Sequence, residues 1–122
     1  MLSSQMRELE RQHEVVTYTI KASTDAWVAN VNTELVEAYN ARYAGVNAPN
    51  LTIQYGSKFA RVMAGTTVWG FIAQVAGNIG GVPYAIGDLL KPASWRAPAK
   101  HSRGNILDGT AQYGMYGPTY LK

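Results

Sequence analysis

LTIQYGSKFARVMAGTTVWGFIAQV (residues 51–75) contains three runs in which apolar residues alternate with other residues, at 51–55, 58–63 and 66–75. Alternation with a period of two is typical of β-strands that bury one face. The pairs Gly56-Ser57 and Ala64-Gly65 separate the runs and are short enough for tight connections. We therefore predict three consecutive antiparallel strands. A flexible loop at 76–83 and a fourth strand at 84–91, which ends at Pro92, complete the predicted sheet.

The third predicted strand carries two large aromatic side chains. Alternation places Trp69 and Phe71 on one face of this strand, and Gly70 and Ile72 on the other. Bulky aromatic residues in a small domain are usually core, but a flat ring at the surface can also stack on a ligand. Both interpretations of Trp69 and Phe71 stay open. Gly70 weakens a strand and is typical of a bulge or of a close approach by backbone or ligand.

Residues 24–44, upstream of the strands, have the period of an amphipathic helix. Ser23 or Thr24 is placed to cap its first turn, and Gly45 follows as a stop. One stripe of this helix carries Trp27, Val31, Leu35, Ala38, Tyr39 and Arg42. The stripe predicts packing against an apolar surface, either the core of the same chain or a dimer seam.

Two shorter elements are predicted before this helix. Ser3 and Ser4 can cap a short polar helix that extends to about His13. The segment VVTYTI (15–20) is β-branched and aromatic, which favours a strand, with continuation of the helix as the alternative. The fold class is therefore α+β, with an N-terminal helical layer packed on an antiparallel sheet of about four strands. We expect a single domain over 1–122, mainly helical over 1–45 and antiparallel β over 50–122, with a structured basic loop at 91–105.

The residue inventory excludes several kinds of chemistry. The chain has no Cys, which excludes disulfides, thiol catalysis and thiolate metal sites. His13 and His101 are far apart in sequence, and no metalloprotease, nucleophile-elbow, P-loop or dinucleotide-binding motif is present. The inventory favours a binding protein over an enzyme, and we expect no catalytic residues, no metal and no cofactor.

The sequence also bears on location. No apolar run approaches the roughly 20 residues of a membrane-spanning helix. The first residues, MLSSQMRELERQHE, carry charges where a signal peptide has its apolar centre. We expect a soluble intracellular protein without a membrane partner.

Charge is distributed unequally along the chain. Residues 1–41 carry three basic and six acidic side chains, a balance of −3, whereas residues 42–122 carry eight basic and two acidic side chains, a balance of +6. The segment KPASWRAPAKHSRGNI (91–106) contains five basic side chains, and no acid lies between Asp88 and Asp108. A basic surface of this kind concentrates anions such as nucleotides, nucleic acids or acidic proteins.

The basic segment has the residue types of a phosphate site. Arginine binds phosphate through two parallel hydrogen bonds and stacks on bases, lysine acts as a mobile point charge, and tryptophan offers a flat stacking surface. Pro92 and Pro98 stiffen the backbone that carries these side chains. The candidate ligand-binding residues are Arg61, Trp69, Phe71, Lys91, Trp95, Arg96, Lys100, Arg103 and Asn105.

The C-terminal half resembles a known group of proteins. The string GDLLKPASWRAPAKHSRGNILDG (87–109), preceded by TTVWGFIA and followed by YGPTYL, resembles a family of small proteins found widely in tailed-phage genomes. The match runs roughly from Gln54 to Leu121, and KPASW with APAKHSRGNI is its most specific part. This class is similar in size and fold to the anti-Thoeris sponges of phages, oligomeric proteins that bind cyclic ADP-ribose isomers or cyclic oligonucleotides.

The resemblance implies a phage-encoded binding protein that sequesters a nucleotide signal in the cytoplasm of the infected bacterial host and so counters immunity. It also implies a homodimer or a higher homo-oligomer. Two alternatives remain: a single-stranded DNA- or RNA-binding accessory protein of phage replication or transcription, and a virion or host-takeover protein whose basic loop meets an acidic partner. The concentration of cations in one short segment favours a compact ligand over a long nucleic-acid track.

Overall fold

One long α-helix begins the molecule. The computed structural model describes residues 2–42, 50–114 and 117–119, and within the helix it describes the side chains from 20 to 41. The helix, α1, extends from Leu2 to Arg42. The strand predicted at 15–20 and the new helix start at Ser23 or Thr24 were therefore wrong. The stop predicted at Gly45 lies outside the described residues.

Helix propagation explains why these two predictions failed. Once a helix has formed, each added residue gains a backbone hydrogen bond, and this outweighs the weak strand preference of β-branched residues. Thr24 illustrates the point. Its side-chain hydroxyl donates to the Ile20 carbonyl 2.7 Å away, four residues earlier in the same helix, rather than capping a new first turn.

Nine strands follow in the part of the chain that the structure describes. They are β1 (Leu51–Tyr55), β2 (Phe59–Ala64), β3 (Thr67–Ala73), β4 (Gly77–Ile79), β5 (Val82–Tyr84), β6 (Asp88–Pro92), β7 (Pro98–Asn105), β8 (Tyr113–Gly114) and β9 (Gly117–Pro118). A five-stranded sheet has the order β1-β2-β3-β6-β7, and all of its neighbours are antiparallel. The α+β class and the first three antiparallel strands are thus confirmed.

The second half of the chain contains more strand than the sequence indicated. The loop predicted at 76–83 is largely the β4–β5 hairpin, and the strand predicted at 84–91 is divided between β5 and β6. Most of the predicted basic loop at 91–105 is the edge strand β7, so only the turn between β6 and β7 is a loop. We call residues 93–97 the β6–β7 turn.

A bulge in the β2–β3 pair decides which aromatic residue faces the core. Val62 pairs with Gly70, but Met63 pairs with Val68, so Trp69 is an extra residue on β3. Trp69 consequently joins the core cluster that includes Ile72, whereas Phe71 lies opposite Arg61 on the other face of the sheet. The prediction that Trp69 and Phe71 share a face was wrong, because one inserted residue changes the alternation.

The core lies between α1 and one face of the sheet. Val28, Val31 and Leu35 of the helix pack with Leu51, Ala60, Val62, Trp69, Ile72 and Leu89 of the strands. Trp27 and Tyr113 add aromatic contacts, with ring centres 6.2 and 5.9 Å from that of Trp69. Val31 and Leu35 of the predicted stripe are buried, Trp27 and Tyr39 are half-buried, and Ala38 is exposed.

Side chains also contact both outer edges of the five-stranded sheet. On β1, the Asn32 amide of the helix accepts from Leu51 N at 2.7 Å and donates to Leu51 O at 3.1 Å. On β7, the Arg103 guanidinium donates to the carbonyls of His101 and Thr119. Asn32 therefore fixes the first residue of the sheet to α1.

Candidate functional site

A concave site lies at the β1–β2 turn, on the sheet face opposite the helix. The chain from Gln54 to Phe59 lines one side of it, and Arg61, Phe71 and Arg96 line the rest. Its volume is about 270 Å³. We call this site the cationic pocket, because Lys58, Arg61 and Arg96 all contribute to its wall.

The register of the sheet explains why these residues meet. Arg61 lies directly opposite Gln54 on β1 and opposite Phe71 on β3, so the three side chains share one face. The neighbours Ala60 and Val62 point to the other face and are fully buried in the core. The strand alternation that builds the core therefore also places Arg61 in the pocket.

Arg61 is fixed by neutral partners. Its Nε and Nη2 atoms donate to Gln54 Oε1 at 3.0 and 2.6 Å, and its Nη1 atom donates to the Trp95 carbonyl at 3.1 Å. The guanidinium carbon lies 4.9 Å from the centre of the Trp95 ring. Because both acceptors are uncharged, these contacts orient the guanidinium without neutralising its charge, and two of its five N–H groups stay available.

The β6–β7 turn brings Trp95 and Arg96 to the rim of the pocket. Ala93 N and Ser94 N both donate to the Ala97 carbonyl, at 2.9 and 3.1 Å. The Ser94 hydroxyl accepts from Arg96 N and Ala97 N at 3.3 and 3.2 Å. The turn is thus closed by its own hydrogen bonds, and Arg61 ties it to the sheet. Arg96 is exposed, and within the described residues no acceptor contacts its guanidinium.

The acidic residues of the second half do not reach this pocket. Asp88 accepts from Ala85 N at 2.8 Å and from Asn105 Nδ2 at 2.9 Å. Asp108 accepts from the hydroxyl and the backbone N of Thr110, and these bonds lower the pKa of the Asp108 carboxyl. Both carboxylates stabilise turns, and among the residues that the structure describes none of those lining the cationic pocket is acidic. The pocket therefore keeps a net positive charge.

Aromatic rings form the floor and one wall of the pocket. Phe71 is only 3% exposed and packs edge-on against Phe59, with ring centres 6.1 Å apart. Tyr84 supports Phe59 from the β5 side at 5.2 Å. The Tyr55 hydroxyl reaches the Asp25 carboxylate and the Lys21 carbonyl of the helix, and burial together with Asp25 raises the pKa of this phenol. The floor is rigid and apolar, with the cations around it.

Two of the predicted cations serve another surface. Lys91 Nζ donates to the Pro118 carbonyl at 2.7 Å, and Arg103 Nε donates to the Thr119 carbonyl at 2.7 Å. Burial, and then the nearby charge of Arg103, lower the pKa of Lys91. Both side chains fix the segment around β9 to the sheet, and neither lines the cationic pocket.

The other predicted site residues also lie away from the pocket. Trp69 is 3% exposed in the core, and Asn105 donates to Ile86 O at 2.8 Å and to Asp88, which supports the turn before β6. Lys100 is exposed on β7. Of the nine predicted residues, Arg61, Phe71 and Arg96 line the pocket and Trp95 contacts Arg61 at its rim.

Sequence reasoning missed Gln54, Tyr55 and Lys58. In the sequence, Lys58 alternates out of phase with Arg61, which would place the two on opposite faces of one continuous strand. It precedes β2, however, and belongs to the turn, where alternation does not apply. The pairing of Gln54 with Arg61 follows from a hairpin register centred on Gly56-Ser57, and this was the signal that could have found it.

In the part of the chain described here, no three His, Asp or Glu side chains come together as metal ligands. The helix, over its described length, does not have the apolar composition required to cross a membrane.

Comparison with known proteins places the whole site within one family model. That model, described as "Family of unknown function (DUF7717)", matches residues 2–117. The matched span contains the helix, the five-stranded sheet and every residue that lines the cationic pocket. Among curated proteins and among solved structures, none matches the chain.

Proposed function

We propose that this chain, which belongs to the DUF7717 family of unknown function, binds a compact phosphate-bearing nucleotide in the cationic pocket and does not transform it. One observation carries the proposal: Lys58, Arg61 and Arg96 converge on a single concavity that has an aromatic floor and no acidic lining residue. Charge-assisted hydrogen bonds to phosphate are about twice as strong as neutral ones, and the pocket offers three cationic donors for them.

The contacts of the three cations indicate different roles in ligand binding. Arg61 is held by Gln54 and Trp95, so it presents its remaining N–H groups in a fixed direction. Arg96 and Lys58 are exposed and can close on a phosphate from two sides. A preoriented cation lowers the entropic cost of binding, since less side-chain freedom is lost when the ligand arrives.

The size of the pocket limits what it holds. Pockets that enclose small molecules usually have volumes of about 300–1,000 Å³, and the cationic pocket, at about 270 Å³, is just below that range. It suits a phosphate with an attached sugar rather than a whole oligonucleotide. A cyclic ADP-ribose isomer or a cyclic oligonucleotide would extend beyond it, onto the rim or onto a second copy of the chain in a homodimer or larger oligomer.

Sequestration is the role that we propose for this binding, in line with the resemblance to tailed-phage proteins. A phage protein made in an infected bacterium lowers the free concentration of an immune signal simply by binding it. This requires sub-micromolar affinity, about 8 kcal/mol or more. Three charge-assisted contacts and one stacked base, each contributing about 1–3 kcal/mol, are of the required order.

The proposal is tested by calorimetric titration with nucleoside monophosphates, cyclic nucleotides, ADP-ribose isomers and short single strands. We expect Arg96→Ala and Lys58→Ala each to weaken nucleotide binding about 10- to 100-fold, since a hydrogen bond to a charged group contributes about 1.5–3 kcal/mol. Lys100→Ala is the matched control, because Lys100 is an exposed cation outside the pocket. Equal binding by parent, Arg96→Ala and Lys58→Ala would show that the pocket is not the site.

Salt dependence separates the nucleotide from a polynucleotide. The logarithm of the affinity for a single strand falls with the logarithm of salt concentration by about 0.7 per phosphate contacted. A compact ligand with one or two phosphates should therefore give a shallow slope. A steep slope with short strands, together with weak mononucleotide binding, would favour the nucleic-acid alternative.

A further inference from the structure

We infer that the base of the bound nucleotide stacks on the open face of Trp95, outside the cationic pocket, while the phosphate lies inside it. This inference rests on the proposed function and specifies its ligand: a nucleoside phosphate unit, recognised through any aromatic base and one phosphate. The unit is either a free nucleotide or part of a cyclic or single-stranded chain.

The surroundings of Trp95 carry the inference. Arg61 lies over its ring at 4.9 Å, yet 49% of the Trp95 side chain is exposed. A half-exposed indole beside a cationic pocket leaves one flat aromatic surface on which a base can stack. Its backbone is fixed by the closed β6–β7 turn and by the bond from Arg61 to its carbonyl, and the Arg61 guanidinium contacts the ring itself.

Arg61 connects the two halves of the proposed site. Its guanidinium is at once part of the pocket wall and the partner of the indole. A base on the outer face of Trp95 would complete a stack of base, indole and guanidinium, while the phosphate of the same ligand meets Arg61 and Arg96 inside. Bases stack on aromatic side chains without much regard to sequence, because every base has a π-face. Purines should bind more tightly than pyrimidines, since the larger ring system covers more of the indole.

The other aromatic residues of the pocket are less suited to this contact. Phe71 is buried under Phe59 at the floor, with 3% of its surface exposed. Tyr55 is 38% exposed, but the Lys21 ammonium lies 5.2 Å from its ring centre and its hydroxyl is held by the helix. Stacking on Tyr55 is the rival arrangement, and the experiment separates it from stacking on Trp95.

The experiment compares adenosine monophosphate, cytidine monophosphate, ribose 5-phosphate and inorganic phosphate by calorimetry on the parent, Trp95→Leu and Trp95→Phe. In the parent we expect adenosine monophosphate to bind about 5- to 150-fold more tightly than ribose 5-phosphate, the contribution of one stacked base. Trp95→Leu should bring that ratio close to one, and because the Trp95 carbonyl that holds Arg61 is retained, ribose 5-phosphate should lose much less affinity than adenosine monophosphate. Trp95→Phe, which keeps an aromatic face, should retain most of the preference.

Tryptophan fluorescence gives a second readout. Trp69 is buried and Trp27 packs against it, so quenching by adenosine monophosphate should be present in the parent and absent in Trp95→Phe. A parent that binds ribose 5-phosphate as tightly as adenosine monophosphate overturns the inference and leaves the phosphate pocket intact. An unchanged preference in Trp95→Leu also overturns it and points to Tyr55. If none of the four ligands binds, both this inference and the proposed function are contradicted.

The same titration distinguishes the sources of the nucleoside phosphate unit. A linear dinucleotide and a cyclic dinucleotide should each show the Trp95→Leu effect, because one unit of either can occupy the site. Tighter binding of the cyclic form than of adenosine monophosphate supports a signalling nucleotide as the natural ligand. Tightening that grows with strand length instead supports a single strand.

Discussion

The side-chain amide of Gln74, the residue after β3, donates to the Thr24 hydroxyl at 3.1 Å and joins the end of that strand to the helix inside the core. Thr24 is fully buried and Gln74 is 8% exposed. The Thr24 hydroxyl in turn donates to Ile20 O, whereas Gln74 Oε1 has no hydrogen-bond partner in the described residues. The contact is therefore a polar link with one unsatisfied atom beside it.

This asymmetry predicts unequal effects of removing the two partners. Thr24→Val should lower the free energy of unfolding by about 1–3 kcal/mol, because it leaves the buried Gln74 amide without its main acceptor. Gln74→Leu should be close to neutral, since it also removes the unsatisfied oxygen. The double variant should lose less than the sum of the singles, as a denaturant-based double-mutant cycle would measure. Additive losses would contradict this account.

The backbone of β7 is strongly constrained at Gly104. Its φ is +95°, and a Cβ at this position would lie 2.0 Å from the Thr110 carbonyl oxygen. Gly104→Ala should reduce stability by at least about 3 kcal/mol, since strain and a backbone clash add together. Gly109→Ala is the matched control, because Gly109 has a φ of +77° but open space around it. Its cost should be about 1–2 kcal/mol, the left-handed strain alone. Equal urea midpoints for the two variants would contradict the clash.

The environment of Tyr113 predicts that the free energy of unfolding depends on pH in the alkaline range. Burial, then the hydrogen bond to Glu34, raise the pKa of Tyr113 from its ordinary value of 10.0 to about 12. Between these values the unfolded chain loses this proton and the folded protein keeps it, so rising pH favours unfolding. The stability advantage of the parent over Tyr113→Phe should be constant up to about pH 9 and should shrink between pH 10 and 12.

Urea unfolding at several pH values measures that difference, and subtracting Tyr113→Phe removes the contributions of the other tyrosines. Glu34→Gln is a useful companion variant. It keeps a hydrogen-bond acceptor but removes the charge, so the decline should still begin near pH 10, where the unfolded tyrosine titrates, but should end at a lower pH and be smaller than in the parent. A difference between parent and Tyr113→Phe that stays constant from pH 9 to 12 would show that the phenol is not perturbed in the folded state.

The sequence predicted those parts of the fold that depend on local alternation. Three strands at 51–75 were found because their core residues recur every second position. Strand β7 was missed because it is an edge strand, and PAKHSRGN has no apolar alternation to detect. Gly70 indicated a bulge in the third strand, but the sequence did not show that Trp69 is the inserted residue, because its position is fixed by pairing with β2.

For the candidate site, the sequence indicated the types of residue better than it indicated which residues lie together. Arg61 and Trp95 were both candidate binding residues, but the sequence did not predict that they contact each other across 34 positions of the chain. The separation of Arg96 from Arg103 was not predictable from a list of basic residues. It depends on where residues 117–119 lie, and a long-range contact of that kind has no local signal.

The contacts of Asn32 with Leu51 and of Arg103 with His101 have a consequence for assembly. Each places a side chain where a further β-strand would otherwise dock, at opposite ends of the five-stranded sheet. At these two positions the backbone groups of the edge strands are already satisfied and offer no template to a strand of another copy. Association of several copies is then favoured through side chains on the faces of the fold, and not through addition of strands to the sheet.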